Sequence, residues 1–216
     1  KKELPPGSPE PMVIFEMTVK NLLAHDLVGR ATLLNLSDTL TALGHRVLIT
    51  DYQRYYRLSH YLRRYTQKPI AILIGPNNLY HLFDEDYYTN LSGGLLEGFG
   101  RLFKNEVIVY VYPMARDAFQ SSLASRGITP EIPNLDPGEL VDAANLLVPA
   151  NHQTLFTYLR EQGLIRSIGA IHSEHPCDHT SSIRSMIRNG DLAWKNYVPP
   201  PAAKIIEERC LFTASN

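Results

Sequence analysis

The chain has 216 residues, 44% of them hydrophobic, which suffices for one well-buried domain and is too short for two large ones. A net charge of −1 and a pI near 6.8 argue against a general nucleic-acid or membrane-surface binder, which needs a large field of one sign. Cys177 and Cys210 offer neither a disulfide framework nor zinc spacing, and no apolar run is long enough to span a bilayer. With no signal peptide in view, the expectation is a cytoplasmic protein with reduced thiols.

The opening, Lys1 to Pro11, is polar and rich in proline and reads as a linker, so the chain has the look of a piece of something longer. Residues 12–216 read as a single domain. Met12 to Met17 is an apolar strand. Thr18 then caps a helix expected from about Val19 to Leu43, with Leu22, Leu23, Leu27, Leu33, Leu34, Leu36 and Leu40 as its inward stripe and Gly29 as an interruption. Gly44 stops that helix, and Arg46 to Thr50 begins a second strand. Strand, helix, glycine and strand make a βαβ unit, which predicts parallel strands joined by a right-handed crossover.

The pattern repeats. A helix rich in tyrosine and arginine is expected from Gln53 to Thr66, and Ile70 to Ile74 has the wholly apolar text of a buried parallel strand. The turn Gly75-Pro76-Asn77-Asn78 follows, then a polar loop from Asp84 to Ser92, a glycine-rich stretch from Gly93 to Phe103 read as a loop, and a strand from Val107 to Tyr112. Alternation of this kind predicts a three-layer, Rossmann-like α/β fold whose mostly parallel sheet has about four strands. Ala115 to Pro149 is less regular. A helix from about Asn151 to Gly163, a short edge strand from Ile165 to Ile171 and a histidine-rich turn lead to a C-terminal helical tail.

That tail holds the densest chemistry. Thr180, Ser181 and Ser182 stand at the start of a short helix, where free backbone N–H groups and the positive end of the dipole favour an anion. Ile183, Met186 and Ile187 form its apolar stripe, and Gly190 is its C-cap. Arg184 and Arg188 lie one turn apart on one face, placed to reach a single polyphosphate. A capped surface helix with two solvated arginines would show the same spacing.

Elsewhere the candidates are sparser. Arg54 and Arg57 follow the second strand, three residues apart, and are placed to clamp a phosphate or carboxylate; a solvated helix face is the plainer account. Asn77 and Asn78 stand at a strand's carboxyl end, positioned to hydrogen-bond a base or amide. The glycines from Gly93 to Gly100 fit a loop approaching a ligand closely, as a different transferase or hydrolase would use, and equally fit turns and tight packing. His172, His175 and His179, with Glu174 and Asp178, have separations that fit no tight ligand pair, and Pro176 keeps the segment extended, so no metal site is expected. No Gly-x-Ser-x-Gly elbow marks a nucleophile.

The tail then continues through Trp194, Tyr197-Val198-Pro199-Pro200 and a helix from Ala203 closing on Leu211-Phe212. Together with the Thr-Ser-Ser-Ile-Arg helix and Gly190, this order resembles the C-terminal end of nicotinate- and nicotinamide-nucleotide adenylyltransferases. The stretches Glu16 to Leu23, Tyr87 to Glu97, Gly100 to Phe103 and Val111 to Met114 are likewise similar to bacterial proteins of that name. The resemblance implies that Thr180, Ser181, Ser182 and Arg184 hold the phosphates of ATP; Arg188 is a further candidate by its spacing alone. It implies Mg²⁺ arriving with ATP, and a pyridine mononucleotide as second substrate, for which Arg54, Asn77 and Asn78 are the candidate contacts.

The family places a glycine-rich loop and a His-x-Gly-His element after its first strand. Here that turn carries Lys20 and His25 as the candidate catalytic charges, without the histidine pair. The missing element and the proline-rich start favour an alternative: a non-catalytic nucleotide-binding, regulatory or interaction domain on the same scaffold. No nucleic-acid or membrane partner is expected, and assembly into a homo-oligomer is left open.

Overall fold

The structure is a computed structural model, and it describes residue 7 and residues 10–19, 30–104, 106–129, 139–168 and 180–213. In chain order its regular elements are β1 (Ile14–Thr18), α1 (Arg30–Ala42), β2 (Arg46–Thr50), α2 (Tyr55–Leu62), β3 (Ile70–Ile74), α3 (Pro76–Leu82), α4 (Gly94–Leu102), β4 (Val107–Val111), β5 (Met114–Ala115), α5 (Arg116–Ala124), β6 (Leu140–Val141), α6 (Gln153–Glu161), β7 (Ile165–Ser167), α7 (Thr180–Arg188) and α8 (Pro200–Glu208). Short 3-10 turns cover Glu85–Tyr88, Ala150–His152 and Leu192–Tyr197. The molecule is mixed α/β with parallel strands. Among the described residues no helix is long and apolar enough to cross a membrane.

The chain divides into two compact units, Lys1–Gln53 with His179–Asn216, and Arg54–Asp178. In the first, β1 and β2 pair in parallel, in a register that sets Ile14 beside Arg46 and Thr18 beside Thr50. A parallel pair needs a crossover, and α1 lies within it. That helix ends where Gly44 turns to φ 81°, a conformation that costs glycine little, with Gly44 N–H donating to the Thr41 carbonyl and His45 N–H to Leu40. The tail forms a small core of its own: Ile187 of α7 packs with Trp194, Ala203, Ile206 and Leu211. Asp191 caps the 3-10 turn by accepting from Ala193 N–H at 2.9 Å, and Pro200 and Pro201 open α8 in the first turn, where a backbone N–H has no partner within the helix. Arg209 reaches from the end of α8 to Asn35 (2.7 Å) and Asp38 (2.6 Å) on α1. Both ends of the Arg209–Asp38 ion pair are well exposed, so it contributes about 1 kcal/mol at most.

In the second unit β3, β4 and β7 form a parallel sheet in that order. β4 is its middle strand. Val107, Val109 and Val111 face a core built from Leu79, Leu82 and Phe83 on or just after α3, Phe99 and Leu102 of α4, Phe119 and Leu123 of α5, and Phe156 of α6. The two-residue strands β5 and β6 add a small antiparallel pair.

Several expectations need correcting. One sheet of about four strands was expected; among the described residues the parallel strands fall into two sheets, because pairing is a non-local choice that an apolar run does not encode. The wholly apolar Ile70–Ile74 is the edge of its sheet, with Leu73 59% exposed, and the buried strand is β4. The tyrosine-rich helix is shorter than Gln53 to Thr66, running from Tyr55 to Leu62, and the last strand of that sheet stops at Ser167. Of the helix expected from about Val19 to Leu43, Val19 is helical and α1 covers Arg30–Ala42, while residues 20–29 lie outside the described residues.

Candidate functional site

α7 forms where its stripe predicts, and its closing turn is the one Gly190 allows: Gly190 has φ 71°, with Gly190 N–H donating to Ile187 and Asp191 N–H to Met186. Burying Ile187 against Trp194 fixes which face of the helix points inward, and with it the side from which residues 184 and 188 project. Thr180, Ser181 and Ser182 occupy the first turn of α7; their side chains lie outside the described residues. Arg184 is half-buried, with its guanidinium over the ring of Phe212 at 5.4 Å from the centroid. That cation–π contact holds the guanidinium against the tail. Among the described residues no carboxylate pairs with Arg184. Arg188 is exposed one turn on. Lys20, His25 and the turn from His172 to His179 lie outside the described residues.

A second cluster lies in the same unit at the carboxyl ends of β1 and β2. Glu16, inside the first strand, directs its carboxylate toward the strand end, since residues two apart in a strand share a face. The Thr18 hydroxyl lies 2.9 and 3.1 Å from its two oxygens, and the Thr50 hydroxyl donates to Oε1 at 2.5 Å. Thr50 in turn accepts from Tyr52 N–H at 3.2 Å, and Thr18 lies 3.4 Å from the Tyr52 carbonyl. The in-register pairing of Thr18 with Thr50 is what brings both hydroxyls to one carboxylate. Reading the sequence for sites missed Glu16; the signal was an ionisable residue inside a run taken as apolar.

The candidate contacts for a second substrate belong to the other unit. Asn77 and Asn78 stand in the first turn of α3, at the carboxyl end of β3. Asn77 donates through Nδ2 to the Ser122 hydroxyl at 3.0 Å, while its Oδ1 is buried without a hydrogen-bond partner. A Cβ at Gly75 would fall 2.7 Å from that oxygen and 3.0 Å from the Tyr112 hydroxyl, so the glycine is what lets the amide fold over the strand end. Asn78 is half-buried, and its N–H donates to the Gly75 carbonyl. Arg54 stands at the N-cap of α2 with its guanidinium 4.7 Å from the centre of the Tyr87 ring. The residues expected to hold ATP and those expected to hold its co-substrate thus fall in different units.

The glycine-rich stretch is explained by packing. Gly93 N–H donates to the Glu97 carboxylate at 2.8 Å, which caps α4 and holds that carboxyl below its usual range, with Arg101 adding to the effect. A Cβ on Gly98 would meet the Tyr88 ring at 2.1 Å. Tyr88 is itself buried, its hydroxyl donating to the Leu82 carbonyl at 2.9 Å, and burial pushes that phenol far above its ordinary pKa. Among the described residues no group of three or more histidine, cysteine and acidic side chains is gathered to hold a metal ion. No protein family, curated protein or solved structure matches the chain.

Proposed function

We propose that the chain is a nucleotide-binding protein of three-layer, Rossmann-like type that transfers the adenylyl group of ATP to nicotinate or nicotinamide mononucleotide. The observation that carries this reading is Arg184: a half-buried cation set by the Phe212 ring, with no carboxylate partner among the described residues, on a helix whose first turn carries three hydroxyl-bearing residues. Such a helix start suits a polyphosphate. The mononucleotide phosphate attacks the α-phosphorus of ATP in line and pyrophosphate leaves. That step asks the protein for positioning and positive charge and for no covalent nucleophile. Thr180, Ser181, Ser182, Arg184 and Arg188 are the proposed ATP contacts, Lys20 and His25 the proposed catalytic charges, and Arg54, Asn77 and Asn78 the proposed contacts of the acceptor. Mg²⁺ enters as the ATP complex, held mainly by phosphate oxygens.

A second reading keeps the nucleotide and drops the transfer. It is favoured by Glu16: the carboxyl edge of β1, where a phosphate would want donors, presents a carboxylate. Incubation with Mg·ATP and nicotinate mononucleotide separates the two. Pyrophosphate release that is lost in Arg184→Ala supports transfer, and thermal stabilisation by Mg·ATP without turnover supports binding alone. A melting curve that Mg·ATP leaves unmoved sinks both.

A further inference from the structure

We propose that the carboxylate of Glu16 is a receptor for paired sugar hydroxyls, the vicinal diol of a nucleoside's ribose; this rests on the nucleotide reading above. Thr18 and Thr50 are each only 8% exposed, and both hydroxyls lie within hydrogen-bond distance of Glu16, which is itself half-buried and so open on one side. The threonines therefore act as a built frame that sets the carboxylate's orientation before any ligand arrives.

Counting lone pairs gives the ligand class. An ionised carboxylate has about four acceptor sites. Each threonine has one proton to give, so two sites are filled and two remain. What completes the group is a pair of neighbouring donors, and adjacent hydroxyls on one sugar ring are spaced for that. A phosphate is the wrong partner, because it offers charge of the same sign at short range. The carboxyl edge of parallel strands is also where ligands of α/β proteins sit, and both threonines are the last residues of their strands. Nothing in the cluster needs a cation to be satisfied, since the Thr50 oxygen accepts from Tyr52 N–H.

The test compares Mg·ATP with Mg·2′,3′-dideoxy-ATP by calorimetry. Wild type is expected to bind ATP about tenfold or more tightly than the dideoxy analogue, the worth of a hydrogen bond or two to a charged acceptor. Glu16→Gln should bring the two affinities close together, while Arg184→Ala weakens both alike. Thr50→Val, which removes the frame and keeps the carboxylate, should narrow the gap as well and stands in if Glu16→Gln does not fold. Equal affinities in wild type overturn the proposal and leave the nucleotide reading intact. A preference that survives in both Glu16→Gln and Thr50→Val overturns it too, as the sugar is then read elsewhere. Stabilisation of wild type, but not Glu16→Gln, by Mg²⁺ alone would make the cluster a cation site and likewise overturn it. Absence of any ATP binding overturns both readings together.

Discussion

β1 in the first unit and β4 in the second are parallel strands of similar apolar text that end in opposite surroundings. Val107, Val109 and Val111 of β4 are at most 1% exposed, whereas Ile14 and Phe15 of β1 are 43% and 38% exposed. The difference lies behind the strands. β4 has a neighbour on each side and backs onto a continuous aromatic core, with Phe83 5.0 Å from Phe99 and 5.4 Å from Phe156. Among the described residues, the first unit gathers its buried apolar groups in the tail, around Trp194. Burial of apolar area is what resists opening, so the two units should differ in stability although both hold a parallel sheet.

Damage to the larger core should cost most at the point where it tolerates least. Gly98→Ala drives a methyl into the Tyr88 ring, whose hydroxyl is anchored and which cannot swing away. We expect a loss of about 3 kcal/mol or more in urea unfolding. Gly100, two residues on in the same helix, has open space around its Cβ position, and Gly100→Ala should stabilise by about 0.5–1 kcal/mol. Equal effects at the two positions would mean that Gly98 is not packed as described.

A second measurement asks whether the units differ at all. Trp194 is the chain's one tryptophan and lies in the tail core, so its fluorescence reports the first unit alone. In urea its transition should precede the loss of helical circular dichroism, to which the five helices α2 to α6 of the second unit contribute. Coincident curves would instead mean one cooperative fold.

How much of this was legible beforehand follows from which interactions are local. The strand text Ile70–Ile74 and the stops at Gly44, Gly163 and Gly190 were readable because a glycine in left-handed conformation leaves a local signature, and all three have positive φ. The partition of strands into two sheets was not, and neither was the reason for Gly98, which is a ring ten residues away. At the site, α7 and its arginine spacing could be read from period alone. The Phe212 ring beneath Arg184 and the Thr50 hydroxyl on Glu16 are contacts between distant segments, which no spacing rule reports.

Within the first unit, two helix ends differ on a smaller scale. α8 closes as α7 does, with Cys210 N–H donating to Glu207 and Leu211 N–H to Ile206, but Cys210 rather than glycine takes the left-handed position, at φ 48°. A side chain there crowds the following carbonyl. Cys210→Gly should therefore raise the stability of the tail by about 1 kcal/mol, and Gly190→Ala should lower it by about as much. Trp194 fluorescence in urea would show either shift.

The smallest effect is expected from pH, and it belongs to the second unit. His81 of α3 is half-buried, and its Nε2 is buried without a hydrogen-bond partner. Burial holds its pKa below the ordinary value, the Arg126 guanidinium pushes the same way, and the Asp84 carboxylate opposes them. The folded form therefore takes up its proton at lower pH than the unfolded chain, whose histidine titrates near about 6.5. Above that pH both states are neutral at His81 and the residue adds no slope. As pH falls below about 6.5 the unfolded chain binds a proton that the folded one resists, so stability declines toward the folded-state pKa and levels off beneath it. Between pH 7.5 and 5.5 the urea midpoint of the helical signal should drop, and His81→Gln should remove that part of the drop. The Glu97 carboxyl, held low by Gly93 N–H, titrates below this window and leaves it clear. A slope unchanged in His81→Gln would mean that the proton goes elsewhere.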